Sequence, residues 1–319
     1  MKTAIVLGAA GRVGDAAARA FLKHGWRVKG AARGAKAATL APGVESVNVD
    51  AYDRPGLIRA CEGADVIVNA LNPPYTDWRE TVLPMAENVA AAAQAVGATH
   101  MLPGNVYNFG HAVHCGMKED APQVASTEKA ELRIAMEDLF AERAAKAGVQ
   151  TLVLRAGDFY GGTRPESWLD LVILSKLRKD VFTWPGPMDL PHAFAYLPDL
   201  GEAFALLAER RDECATFDSY HFTGHTLTGE EMKRAAEEAV GRPLTRRGVS
   251  WPLWRTAGLF VPMMREIAIM SYLWRTGHSL DGTKLQTRLG TVPSTEPAAA
   301  LRLAIADLKL DQPAHRAAA

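Results

Sequence analysis

Apolar residues in the first half of this chain fall into short runs separated by longer stretches in which Ala and Leu recur at helical spacing. Ala4 to Leu7, Trp26 to Ala32, Val44 to Val49, Ala64 to Ala70, His100 to Leu102 and Gln150 to Leu154 have the length and composition of buried strands. Between them, Asp15 to Lys23, a segment opening at Asp53-Arg54-Pro55, Trp78 to Val96 (with Pro84 inside it) and a segment beginning at Ser126 read as helices. Alternation of this kind from residue 3 to residue 110 predicts an α/β fold, a Rossmann-type doubly wound parallel sheet.

The second half is less regular. Asp199 precedes the apolar run Leu200 to Leu207 and reads as its N-cap, and Tyr220 to Phe222 reads as a strand. Thr228-Gly229-Glu230-Glu231 is a capping box opening a helix that should stop at Gly241, and Arg242 to Val249 offers another strand. Trp251, Trp254, Phe260, Met263, Met264, Met270, Tyr272 and Trp274 crowd two helical runs around Pro262. Such a stripe serves as core, or as a cap over a pocket or a dimer surface. Leu301 to Leu310 predicts a last helix, and residues 313–319 a frayed tail. The expected division is the doubly wound α/β domain over 1–162, also receiving parts of 190–225, and a small, discontinuous α+β region over 163–190 and 226–312.

Composition narrows the function classes. At 319 residues, 48% hydrophobic and 23% charged, the chain has material for a large core. Lys and Arg together number 36, as do Asp and Glu, so no overall field recruits nucleic acid or an anionic membrane. Cys61, Cys115 and Cys214 are too few and scattered for a disulfide framework or a metal cluster. The most apolar segment, Leu253 to Trp274, is interrupted by Arg255, Pro262, Arg265 and Glu266, which argues against a membrane span. The first strand begins at once, leaving no room for a leader, and a cytoplasmic location is expected.

The stretch TAIVLGAAGRVG carries the chemistry. Gly8, Gly11 and Gly14 follow a strand and open a helix, the setting in which bare backbone approaches a diphosphate at a helix N-terminus. The same spacing would serve a tight turn that packs helix on strand. The second strand ends at Ala31-Ala32-Arg33, with a guanidinium where NAD-binding folds place a carboxylate for the ribose hydroxyl. Arg33 therefore favours NADP(H) over NAD(H), by charge-assisted bonds to a 2′-phosphate.

These residues resemble the extended short-chain dehydrogenase/reductases, the group that includes nucleotide-sugar epimerases and dehydratases. The likeness extends from Gly8, Gly11 and Gly14 through Asn88 and Leu154-Arg155-Ala156-Gly157-Asp158-Phe159-Tyr160-Gly161 to Ala195-Tyr196-Leu197-Pro198-Asp199-Leu200. It implies a cofactor held by Gly8, Ala10, Gly11, Arg12, Val13, Gly14 and Arg33. It also implies contacts from Asp50 and Ala51 on the adenine side, from Asn69, Ala70 and Leu71 beneath the cofactor, and from Lys129, Arg133 and Phe159. A homodimer through the Lys129 helix and the Trp78 helix is implied as well.

The catalytic pattern departs from that family. Its members use a Ser or Thr after the fifth strand and a Tyr-x-x-x-Lys on the next helix. Aligned on Gly110 and Glu137, those positions fall on Asn105, Lys129 and Arg133; aligned on Lys129 instead, the tyrosine position falls on Ala125, and either way no Tyr-x-x-x-Lys exists in the chain. Asn105 can polarise a carbonyl but carries no proton to give. Lys129 is the expected proton carrier, its charge weakened by burial beside a second cation, with Tyr107 as the other donor and Arg133 as a cofactor anchor. The competing reading is a solvated basic face laced to Glu128, Glu131 and Glu137. Tyr75, Trp78, Trp168 and His192 are the candidate contacts to a small-molecule substrate. The expected activity is hydride transfer to or from a small carbonyl or alcohol. The alternatives are a sugar-nucleotide epimerase or dehydratase and a non-catalytic NADP(H) sensor.

Overall fold

The computed structural model describes residues 1–311. The tail expected to fray, 313–319, lies outside the described residues. Seven parallel strands form the central sheet: β1 (Thr3–Leu7), β2 (Arg27–Ala31), β3 (Glu45–Val47), β4 (Val66–Asn69), β5 (Thr99–Gly104), β6 (Thr151–Arg155) and, after three strands that leave the sheet, a late strand at Phe217–His221. Their spatial order is β3-β2-β1-β4-β5-β6 followed by the late strand, so the chain reverses direction across the sheet between β1 and β4. Ligands bind at the carboxyl edge of such a switch point.

Sheet burial explains the sequence pattern. β1, β4 and β6 are buried at every residue, because helices cover both faces. One face carries α1 (Arg12–Lys23); the other carries α2 (Arg54–Cys61), α3 (Trp78–Val96) and α4 (Glu128–Ala147). Against α1 packs α5 (Leu197–Glu209), so closely that a side-chain carbon at Gly201 would stand 2.5 Å from the Ala16 carbonyl oxygen. Pro84 lies within α3, which runs unbroken through it.

The second half forms elements that local patterning did not disclose. Asp158–Tyr160 (β7), Val181–Trp184 (β8), His192–Tyr196 (β9) and His225–Leu227 (β11) are short strands, with the late sheet strand numbered β10. β7, β9 and β11 make a small separate sheet, while β8 pairs with β12 (Thr245–Gly248). α6 (Gly229–Val240) opens on the expected capping box and closes at Gly241, φ +70°. The chain continues through α7 (Trp251–Ala257), α8 (Pro262–Ile269), α9 (Thr283–Leu289) and α10 (Pro297–Asp307).

Asp199 is not the N-cap of α5. The helix starts at Leu197, with Pro198 in its first turn, where a missing N–H costs nothing. The Asp199 carboxylate instead accepts from the Thr295 amide at 2.6 Å and the Thr295 hydroxyl at 2.8 Å, tying the C-terminal region to the sheet domain. The Trp and Met stripe divides as well. Met270, Tyr272 and Trp274 are buried, Trp251 and Trp254 are half-buried, and Phe260, Met263 and Met264 face outward.

Candidate functional site

The turn after β1 is built for close approach. Gly8 has φ +77°, and a side-chain carbon there would lie 2.6 Å from the Ala70 carbonyl oxygen; one at Gly14 would lie 2.3 Å from the Gly8 carbonyl oxygen. Only glycine fits either position. Gly11 caps α1 without a side-chain hydrogen bond, so the first amides of a twelve-residue helix point outward with its positive end. Ala10 is buried and Val13 half-buried beneath this turn. Arg12 does not reach out. Its guanidinium donates to the Gly161 carbonyl at 2.9 Å, and burial lowers its pKa against the opposing charges of Asp170 and Glu166.

The adenine-side candidates meet on the neighbouring rim. Arg33 donates to Asp50 at 2.8 Å, both side chains being largely exposed. Asp50 also accepts from the Tyr52 amide; that bond and, to a lesser degree, Arg33 hold its pKa down. Asn88 on α3 donates to the Ala51 carbonyl at 2.9 Å and accepts from Arg54 at 2.9 Å, which fixes the loop.

Beneath the switch point a cleft is lined by Asn69, Leu71, Trp78 and Arg133, among others. The Asn69 side-chain oxygen is buried without a partner, an acceptor aimed at nothing in the protein. Arg133 lies over the Trp78 ring at 5.1 Å and donates to the Pro103 carbonyl at 3.3 Å; burial lowers its pKa, opposed first by Glu137. Trp78 is almost fully buried and anchored by a 3.0 Å bond to the Pro73 carbonyl, so it forms the wall of the cleft. Phe159 is half-buried and packs on the core beside α1.

The catalytic candidates converge next to this cleft. Asn105 accepts from the Tyr107 amide at 3.0 Å, leaving its amide NH2 as the donor. The Tyr107 and Tyr75 hydroxyls are 3.0 Å apart; burial pushes the pKa of each above the usual phenol value. Lys129 is buried, its ammonium 5.0 Å from the Tyr75 ring centre. Its charge is not left unpaired beside Arg133, as the sequence led us to expect. It forms an ion pair with Glu266 of α8, which reaches in from the other end of the chain. Nor is the helix face a solvated basic one: Glu128 pairs with Arg79, and Glu137 makes a buried two-pronged pair with Arg155 at 2.8 and 3.1 Å. Arg155 also donates to the Asn105 carbonyl at 2.8 Å, so this pair sets the loop that carries Asn105 and Tyr107.

Two residues missed at the sequence level belong here. Glu266 lay in a segment scanned for its aromatics. Asp158 lay inside the quoted Leu154–Gly161 motif, and it accepts from His192 at 2.8 Å. His192 stacks on Trp274 at 4.0 Å and meets His278 edge-on at 4.4 Å. The Tyr272 hydroxyl is buried without a partner; burial, and secondarily the Asp158 charge, push its pKa up to about 12. Trp168 is set behind these groups, packed on Trp274 at 5.0 Å within a cluster that includes Trp251 and Trp254. Among the described residues no group of His, Cys, Asp and Glu is arranged to hold a metal ion.

The fold has known counterparts. A UDP-galactose 4-epimerase superposes with a TM-score of 0.73 at 18% identity, over 98% of this chain and 100% of that one. The UDP-glucose-4-epimerase of Stenotrophomonas maltophila, with bound NAD and formylated UDP-arabinopyranose, gives 0.77 at 16% identity over 100% of both chains. The UDP-glucuronic acid 4-epimerase of Bacillus cereus, in complex with NAD, gives 0.76 at 15% identity over 96% of each chain. At this identity the likeness establishes the fold alone. No curated protein matches the chain in sequence. The family model for NmrA-like proteins matches residues 1–274, a span that includes the glycine turn and the cleft, and the chain belongs to the NmrA-like family.

Proposed function

We propose that this protein is a nicotinamide-dinucleotide-dependent oxidoreductase acting on a small, largely apolar carbonyl or alcohol, with NADP(H) preferred. The observation that carries this reading is the fit of the empty-handed groups to a dinucleotide. The glycine turn admits no side chain, the α1 amides point outward, and the buried Asn69 oxygen lacks a donor. The amides of the turn would hold the diphosphate, Arg133 and Asn69 the nicotinamide half, and Arg33 a 2′-phosphate in exchange for Asp50.

Bound there, the nicotinamide gives or takes a hydride. The chain's own residues manage the oxygen at the reacting carbon. Asn105 donates a hydrogen bond to it. Lys129 delivers or receives its proton, with Glu266 pairing with and aiming its amino group and the Tyr75–Tyr107 hydroxyl pair as the neighbouring donor. Residues 163–190 and 226–311, with Trp168, Trp274 and His192, act as the substrate lid, and a homodimer would form through α3 and α4.

A sugar-nucleotide substrate is less favoured. Its diphosphate calls for a cluster of cations, and those after β7 turn elsewhere. Arg164 donates to the Thr39 carbonyl at 3.4 Å and Arg178 to the Lys309 carbonyl at 3.5 Å, while Lys176 and Lys179 are exposed.

Calorimetry with NADPH and NADH, followed by turnover on a panel of small carbonyls, tests the proposal. Lys129→Met should abolish turnover and keep cofactor affinity. Full turnover in that variant overturns the proton assignment. Binding of NADPH without turnover on any carbonyl makes the protein a sensor, and absence of heat with either cofactor overturns the whole reading.

A further inference from the structure

We propose that the α7–α8 hairpin is a docking surface for an anionic lipid bilayer. Seven of the twelve large apolar side chains exposed on the described surface lie between residues 253 and 269. Leu253 on α7, Leu259, Phe260 and Val261 in the turn, and Met263 and Met264 on α8 form one protrusion, with Leu259 79% and Phe260 83% exposed. Isolated exposed apolar residues are ordinary, whereas a contiguous group of this kind marks an interaction surface. No helix of the described residues is long and apolar enough to cross a membrane, and two helices of seven and eight residues suit lying at its surface.

Charge selects the occupant. The whole chain is balanced at 36 against 36, but the stretch from 245 to 275 is not. It holds Arg246, Arg247, Arg255, Arg265 and Arg275, all exposed, and one carboxylate, Glu266, which turns inward to Lys129 with its other oxygen 3.7 Å from Arg265. A surface of apolar side chains flanked by arginines, with its single acid withdrawn, complements the acyl boundary and anionic headgroups of a bilayer. Trp251 and Trp254, half-buried at the base of the protrusion, have the amphipathic rings that favour the headgroup level. A second copy of the chain is the poorer match, because a two-fold contact through this face would set the same arginines against one another. The hairpin is anchored from below: Trp251 donates to the Pro185 carbonyl at 2.7 Å, and a side-chain carbon at Gly258 would stand 2.9 Å from the Arg265 backbone, so the helices cross tightly.

Flotation with large unilamellar vesicles tests this without reference to turnover. The full chain should float with phosphatidylcholine vesicles containing roughly 30% phosphatidylserine and do so less as salt rises. Leu259→Asp with Phe260→Asp should lower the bound fraction about tenfold or more, as loss of two inserted apolar side chains requires. Arg255→Glu with Arg265→Glu should lower it comparably on anionic vesicles. Both variants alter only exposed side chains and should keep the near-ultraviolet circular dichroism of the parent. The proposal is overturned if the parent chain stays with the bulk solution on anionic vesicles, or if the variants float as well as it does. It is equally overturned if sedimentation shows a dimer that Phe260→Asp splits, which makes a second copy the occupant.

Discussion

The Lys129 ammonium and the Glu266 carboxylate form an ion pair across 137 residues of sequence, both side chains largely withdrawn from solvent. One stands at the start of α4; the other stands on α8, within the exposed hairpin. The pair therefore joins the sheet domain to the C-terminal helices at the point where chemistry is proposed.

Removing one partner of a buried pair strands the other's charge. Glu266→Gln should destabilise the protein by on the order of 3 kcal/mol, read as a lower urea midpoint. Lys129→Met should cost less, because the remaining carboxylate keeps some access to water. The double variant should lose less than the sum of the two. A Glu266→Gln protein with the parent's midpoint would show that the pair contributes nothing to the fold.

Gly14→Ala should remove cofactor binding. The added methyl meets the Gly8 carbonyl oxygen at 2.3 Å, a backbone atom that no rotamer change moves aside. The turn must open, at a cost of roughly 1–3 kcal/mol in stability. Calorimetry should then show no binding of NADPH or NADH. Unchanged affinity would mean that the diphosphate lies elsewhere.

Arg33→Ala separates the two coenzymes. Arg33 pairs with Asp50 in the open, with side chains 66% and 45% exposed, so its loss should leave the melting temperature unchanged. Affinity for NADPH should fall by roughly 1.5–3 kcal/mol, the size of a bond to a charged group, while NADH holds. An equal loss for both removes the NADP(H) preference.

Acid should destabilise the protein before its carboxylates titrate. Burial lowers the pKa of His100 from 6.5 to about 3, and burial, more than any charge, lowers His221 and His278 to about 4. Below pH 6.5 the unfolded chain binds protons that the folded chain refuses. Stability is therefore complete above that pH and drains as pH falls, by about 1.4 kcal/mol per unit for each histidine. His100 stacks on Phe140 at 3.9 Å with its Nε2 buried and unpartnered. His100→Leu should flatten the fall in urea midpoint between pH 6 and pH 4 by about one proton. An unaltered slope would mean that His100 is protonated in the fold.

The parts of the site that could be read from sequence are those whose geometry is local. Gly8, Gly11 and Gly14 lie within seven residues, and strand, turn and helix follow one another, so their spacing alone defines the cradle. Arg33 and Asp50 were legible one at a time, as the ends of neighbouring strands. Asp158 and His192 were not legible as a pair. Each lies in a three- to five-residue strand of a small sheet whose register is set by partners far along the chain. Asp199 shows the same limit. Its position before an apolar run satisfies the local rule for a cap, yet its oxygens go to Thr295, 96 residues away.

By itself, then, the amino-acid order determined the parallel α/β core, because buried strands and covering helices impose periods that show within a dozen residues. It also determined the glycine turn, where a bare backbone is the only solution. Tertiary structure decided which charges meet. It turned Lys129 from a lone cation into half of an ion pair, set Asp158 against His192, and left the apolar side chains of the α7–α8 hairpin facing outward while Tyr272 and Trp274 went inside. The reason is physical: electrostatic pairing depends on distance in space and on burial, and neither has a period along the chain.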